Sequence, residues 1–530
     1  MRNKALSVLI INLLFFFQSS IGQTIQISGE LSGLLEADTI LLVGNVDIPA
    51  GETLQFRPGS NVVATAMFGF NVMGSISAMG NTVSPIIFTV SDTTGFHNLY
   101  DSRGGWNGFH FINTPASADS SVFSFCNFEF GKAIGDSIEE MGGVFNIRNF
   151  DKIRISDCNF SYNKAVYWGG AIFAEYSNLK ISNSTFIGNF CGIPSPPYGY
   201  GGAICLRYSA ADITGCHFTE NKSTGIGGAV SFEYADVLLQ TNIFENNYSA
   251  LGGALGYLRS NPIRTITGNL FTGNSANFFG GAISCNKANP HFINNTIANN
   301  SCASYGGGFY CNDSAVPVVI NSIIYGNYAP SGEQVYIWDI YSAPEFYYSN
   351  IEGGYLAFGG TGGTGFNSPY VNNIDSLPAF SGLLPHPYSL SNESPCINAG
   401  DPDTTGMMIP DADLAGNTRY AGGRIDIGAY ENINGASGIL KSESDFLIKC
   451  IPNPFRDKLS LRFPNPENKL ITIRISDLSG NEIFTFSGSN SGQFDWDGKK
   501  HISSTLKPGA YLVSILIGNK TGSAIIIHVK

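Results

Sequence analysis

Paired glycines beginning at Gly142, Gly169, Gly201, Gly227, Gly252, Gly280 and Gly307 divide the middle of the chain at intervals of 27, 32, 26, 25, 28 and 27 residues. A self-similar period of this length marks a stacked array, because one repeat alone cannot bury its apolar face and must lay it on a neighbour. A second anchor keeps the same period. Phe160, Phe186, Phe218, Phe244, Phe271, Ile297 and Ile324 are each followed three residues later by Asn163, Asn189, Asn221, Asn247, Asn274, Asn300 and Asn327. Two residues past each Asn stands a small side chain: Ala165, Cys191, Ser223, Ser249, Ala276, Cys302 and Ala329.

Leucine-rich repeats share the period but place a large Leu two residues beyond their Asn, so the small residues here exclude them. Between the anchors the pattern alternates with a period of two, as strands do. "AIFAEY", "AICLRY" and "AVSFEY" put Ile172, Ile204 and Val230 in one column, with Ala174, Leu206 and Phe232 two residues on. Two or three short strands per period, separated by Gly and Asn turns, predict a right-handed parallel β-helix whose coils stack about 4.8 Å apart. Glycine recurs where the backbone needs φ > 0. Asn recurs because it tolerates that region and its amide can bond the next Asn in the column.

Charged residues are only 13% of the 530-residue chain and glycine is high at 63, yet apolar residues reach 43%, enough to bury a core. A net charge of −12 gives no basic footprint for nucleic acid. Residues 1–22 combine Arg2 and Lys4 with an apolar run from Ala5 to Phe17 and the small residues Ser20 and Gly22. This is the plan of a secretory signal peptide cut after Gly22, with a retained N-terminal anchor as the alternative. Ten cysteines fit an oxidising compartment. Cys126 with Cys158, and Cys285 with Cys311, fall in matching registers, where they could bridge or remain free buried thiols.

The G-G-A-I and F-x-x-N motifs over 142–331 resemble the repeats of polymorphic outer membrane proteins and, more broadly, right-handed β-helix families. "NVDIPAGETLQFRPGSNVV", "SPIIFTV" and "WNGFHFIN" look like opening coils, which extends the body back to residue 23. "YYSNIEGG", "SPCINAGDPDTT" and "GGRIDIGAYE" resemble the terminal segment of secreted choice-of-anchor proteins, so the helix is expected to run over 23–431. Residues 432–446 read as a linker of small and polar residues.

Residues 447–530 alternate short strands with Pro and Gly turns, a small immunoglobulin-like β-sandwich. They resemble the type A C-terminal sorting domain of type IX secretion cargo. The residues that carry the likeness are "PNPF" (Pro452, Asn453, Pro454, Phe455), "ISDLSGNEI" with Gly480, "LKPGAYLV" with Gly509 and Tyr511, and the basic end at Lys530. The resemblance implies the type IX machinery as partner and an extracellular or outer-surface location, by release or by attachment to outer-membrane glycolipid. It also implies O-glycosylation at D-S or D-T contexts, present at Asp38, Asp92, Asp136, Asp313, Asp375 and Asp403.

Six residues past successive double glycines the chain reads Arg148, Glu175, Arg207, Glu233, a predicted outward ladder of alternating charge. The adjacent Tyr176, Tyr208 and Tyr234 form a second column, which strand parity places toward the core side at a corner. These seven residues are the candidate carbohydrate contacts, with structural pairing and packing as the alternative. Scattered polar groups at His97, Asp101, Arg103 and His110 are the candidates for a polysaccharide lyase or hydrolase, without a family catalytic motif. Asp401, Asp403, Asp411 and Asp413 could offer oxygen ligands to Ca²⁺ or cap their own turns; no other cofactor is expected. The expected function is a secreted or surface β-helix protein that binds glycans or other cells without catalysis. The alternatives are a polysaccharide-cleaving enzyme and a structural coat.

Overall fold

A computed structural model describes residues 22–135, 141–193, 199–262, 264–420, 423–433, 446, 448–477, 482–489, 491–498, 506–518 and 520–529. The expected signal peptide, apart from Gly22, and most of the expected linker lie outside these residues. Two compact units divide the chain, 1–436 and 437–530.

The first unit is a parallel β-helix. One coil shows the plan: strands Ile172–Glu175, Asn178–Ser182, Thr185–Ile187 and Phe190–Cys191, followed by the next coil's Ile204–Arg207, Ala210–Thr214, His217–Thr219 and Lys222–Ser223. The seven coils from Phe109 to Cys302 thus carry four strands where two or three were expected, and the coils that follow carry three. The fourth is only two residues long and hides in sequence inside the turn after the Asn. Equivalent strands pair in parallel without slippage, Ile172 on Ile204 and Phe186 on Phe218. The second strands of successive coils form a 13-stranded sheet from Gly33–Leu35 to Tyr370–Val371.

Register is fixed by what the columns bury. Phe128, Phe160, Phe186, Phe218, Phe244 and Phe271 stack ring on ring down the core at 4.6 to 4.8 Å, all fully buried. Beside them the Asn column is continuous from Asn163 to Asn327, each side-chain oxygen accepting from the Asn one coil before. A buried amide left without partners would cost about 1–3 kcal/mol, so the column holds one register and penalises every other. A second buried ladder escaped the sequence reading. Asn242, Asn269 and Asn295 continue through Ser322 and Ser349, each side-chain oxygen accepting a backbone N–H from the coil before.

The first glycine of each pair has φ between 64 and 71° through Gly280, but in the seventh repeat that role falls to Gly306, φ 72°. Ile283 pairs with Phe309, which confirms the one-residue shift from the expected Gly307.

Coils also stop earlier than Glu431. The last parallel bridge between coils joins Asn350 to Ile374, and the described residues beyond fold back along the coils already built. Asp401 N–H donates to Asn321 Oδ1, Gly428 N–H to Asn321 O and Ala429 N–H to Thr296 Oγ1. Leu390, Cys396 and Ile427 close a small core over Ile323. The described residues of 376–420 and 423–432 are therefore a strap on the outside of the helix. All ten cysteines are free thiols, and burial pushes Cys216 up to about 12 and raises Cys285 and Cys311 strongly.

The second unit packs a three-stranded antiparallel sheet (Lys449–Ile451, Leu459–Arg462, Gln493–Trp496) against a four-stranded one. The latter holds Glu482–Ser489, Leu470–Asp477, Gly509–Ile517 and Lys520–His528. Leu459, Leu461, Ile471, Ile473, Val513 and Ile515 fill the space between them.

Candidate functional site

The charge ladder sits at the end of the first strand in four successive coils. Glu175 lies between two arginines, its Oε2 3.3 Å from Arg148 Nη1 and its Oε1 3.3 Å from Arg207 Nη1. Arg207 Nε continues to Glu233 Oε2 at 3.0 Å. These side chains are only 16 to 34% exposed because aromatic residues crowd them. The Arg148 guanidinium lies over the Phe173 ring, and that of Arg207 over Trp168 at 4.7 Å. The ladder thus satisfies its own charges and offers little free cation to an anionic ligand.

The tyrosine column does not point toward the core. Tyr176, Tyr208 and Tyr234 adopt φ of 47 to 50°, and this left-handed corner ends strand alternation and turns the rings outward. They are 53, 37 and 44% exposed and stack at 4.9 and 4.8 Å, within 8° of parallel. Stacked this way, inner rings cover one another's faces and present edges and hydroxyls to solvent. The column continues through Arg259, Lys287 and Asp313, also left-handed.

The four proposed catalytic candidates do not converge. Asp101 and Arg103 pair with each other at 2.6 Å on the surface, and that contact pulls the Asp101 carboxyl down to about 2. His110 is buried, with Nε2 against Asn107 O at 2.5 Å, and burial lowers its pKa. His97 Nδ1 instead meets Lys164 Nζ at 3.3 Å. The group that organises this loop is one the sequence reading missed. Fully buried Lys132 donates to the carbonyls of Gly95, Asp101 and Arg103, and burial brings its pKa down to about 8. Its alignment with Lys164 directly after the Asn-bearing turn was the available signal.

The aspartates of the strap cap turns. Asp413 accepts from the N–H groups of Ala415, Asn417 and Glu431, Asp401 from Asp403, and Asp403 from Thr405. Asp411 offers its carbonyl oxygen to the Arg419 N–H. Among the described residues no group of three or more His, Cys, Asp or Glu side chains is placed to hold a metal ion.

In the C-terminal unit, Phe455 is buried against Trp496 and His528, and Asn453 bonds both Ile525 O and Ile527 N–H. Tyr511 donates its hydroxyl to Lys507 O, while Gly509 opens its strand beside Ala510. Pro452 and Pro454 follow cis peptide bonds. Gly480 and Lys530 lie outside the described residues, as does Asp136. Asp92, Asp313, Asp375 and Asp403 are exposed, and Asp38 is half-buried in a pair with Arg57.

Comparison with known proteins decides the class. The "Right handed beta helix region" model matches residues 197–351, and the "Secretion system C-terminal sorting domain" model matches residues 449–528. The chain carries a right-handed β-helix and a type IX secretion C-terminal sorting domain. A Chlamydia polymorphic membrane protein repeat also matches at residues 157–175 of this β-helix protein. Its sorting domain makes it a partner of the secretion machinery, and the protein is secreted or sits at the outer surface. Over 157 residues it is 31% identical to "Metabotropic glutamate receptor-like protein R" of Dictyostelium discoideum, which covers 30% of this chain. The chain spans 9% of the length of that curated relative. No solved structure matches the β-helix protein.

Proposed function

We propose that the helix is a non-catalytic, adhesin-like binding body that engages glycans of the surroundings or of other cells. The observation that carries this reading is the Tyr176, Tyr208, Tyr234 column, exposed and repeating at one coil spacing. A repeating row of phenolic edges suits a repeating ligand, because each coil can give one sugar unit the same hydroxyl contact. Arg148, Glu175, Arg207 and Glu233 hold that row straight. Since they neutralise one another, recognition here rests on hydroxyls and rings more than on net charge. Attachment of the exported protein to outer-membrane glycolipid belongs to the same proposal.

A second reading, a polysaccharide lyase, draws on Lys164. Burial lowers the pKa of this lysine, and its ammonium lies beside His97, so it is the group best suited to serve as a base. One experiment separates the readings. The secreted protein is run through gels cast with neutral and acidic polysaccharides, and the polymer length is measured afterwards. Retardation with unchanged polymer, weakened by Tyr208→Ser, supports binding. Shortening of any polymer that Lys164→Met abolishes supports the enzyme, and no effect with any polymer supports a structural coat.

A further inference from the structure

Two columns run along the helix on the side of the first strands away from the central core, most of their members covered by neighbouring coil residues. One is Phe173, Cys205, Ser231, Gly256, Ser284, Tyr310 and Tyr336, in unbroken register. The other precedes the glycines and includes Ile226, Leu251, Phe279 and Tyr305. In the middle coils these positions hold the buried Ser231, Gly256 and Ser284 beside the aliphatic Ile226 and Leu251. In the last coils both columns become aromatic together. Phe279 stacks on Tyr310 at 4.6 Å, Tyr305 meets Tyr336 at 4.7 Å, and Tyr310 lies 5.9 Å from Tyr336. Trp338 stands across the group, 6.0 to 6.5 Å from all four rings at interplanar angles of 40 to 69°, and is 47% exposed.

Tyr310 is only 3% exposed and Phe279, Tyr305 and Tyr336 are half-buried, so the part of the cluster that meets solvent is Trp338 with the half-buried rings around it. Unlike the parallel tyrosines near the ladder, Trp338 is inclined to its neighbours, so its faces are not stacked away in a column. Charge decides the kind of ligand. The sequence contains no Lys or Arg between residues 288 and 418, the stretch that supplies Tyr305, Tyr310, Tyr336 and Trp338. Asp339, next to Trp338, is half-exposed. An anionic polymer such as a uronate or a sulfated glycan would find repulsion here and no counter-charge.

We infer that this platform is a binding site for a neutral polysaccharide, whose C–H faces stack on Trp338 and its neighbours while sugar hydroxyls meet the tyrosine hydroxyls. The inference rests on the glycan-binding reading above and assigns it a ligand class and a second location, about three coils beyond Tyr234. Face stacking on an aromatic ring buries apolar C–H surface without requiring charge, and the exposed Trp338 gains the cover it lacks in the free protein.

The test uses the full secreted protein in affinity gels containing hydroxyethylcellulose, xyloglucan or laminarin as neutral probes, with polygalacturonate and alginate as acidic ones. Retardation is expected with at least one neutral polymer, with Trp338→Ala weakening it about tenfold, equivalent to about 1.4 kcal/mol, and Trp338→Phe recovering part of the loss. Because Trp338 is partly in water, its emission in the unmodified protein should shift to the blue as that polymer is added, a readout that needs no variant. Retardation by a neutral polymer that Trp338→Ala leaves unchanged, or retardation by acidic polymers alone, overturns the platform and leaves the glycan-binding reading standing. A protein that no polymer retards overturns both.

Discussion

Asn221 gives two hydrogen bonds to one atom of Asn247: its Nδ2 lies 3.0 Å and its backbone N 3.1 Å from Asn247 Oδ1. Asn247 in turn donates to Phe218 O and Asn274 Oδ1, so one side chain serves three coils. Asn247→Ala strands buried donors above and a buried acceptor below, and should cost about 3–5 kcal/mol. Denaturant melts of the secreted protein measure it. Asn247→Asp should be at least as costly, because a carboxylate supplies an acceptor where Asn274 needs a donor.

Glycine is required to different degrees along the chain. A Cβ on Gly227, φ 71°, would meet Val230 O at 2.2 Å, whereas one on Gly406, φ 80°, has nothing within 4 Å. Gly227→Ala combines backbone strain with overlap and should cost about 3–5 kcal/mol. Gly406→Ala meets strain alone, about 1–2 kcal/mol. Equal losses in thermal melts would contradict the stacking geometry.

The charge ladder predicts an asymmetry. Glu175 pairs with two arginines and Glu233 with one in the ladder, all partly buried. Glu175→Gln should destabilise by about 1 kcal/mol more than Glu233→Gln, and added salt should shrink the difference.

The strap carries a buried acidic cluster. Glu431 lies 4.0 Å from the fully buried Arg419, with Asp413 and Asp426 acting on the same group. Burial outweighs Arg419 and raises Glu431 to about 8 and Asp426 to about 6. With the folded pKa above the free value, the docked strap holds protons that the undocked chain has released. The contribution of these two carboxyls to strap docking is therefore full below about pH 4 and falls as pH rises toward 8. Hydrogen exchange over 376–432 should quicken across that window, and Glu431→Gln should flatten the dependence.

Much of this architecture was readable because each coil repeats a covalent signature. Phe186 and Asn189 recur at fixed offsets, so their columns follow from the period alone. Tyr208 was misassigned to the core side because parity holds only within a strand, and the left-handed corner lies one residue past its end. The helix was carried to Glu431 because its last segment resembles the terminal segment of choice-of-anchor proteins, and the fold-back of that segment was hidden because its contacts to Asn321 and Thr296 reach across distant sequence. The aromatic platform was invisible for a related reason. Phe279, Tyr310 and Trp338 occupy different offsets in different coils and meet only after stacking.

The measurement that bears most directly on the account is the migration of the secreted protein through polysaccharide gels, with polymer length followed in the same samples. The account predicts retardation by a neutral polymer whose length does not change. Shortening of any polymer, or free migration through all of them, would contradict it.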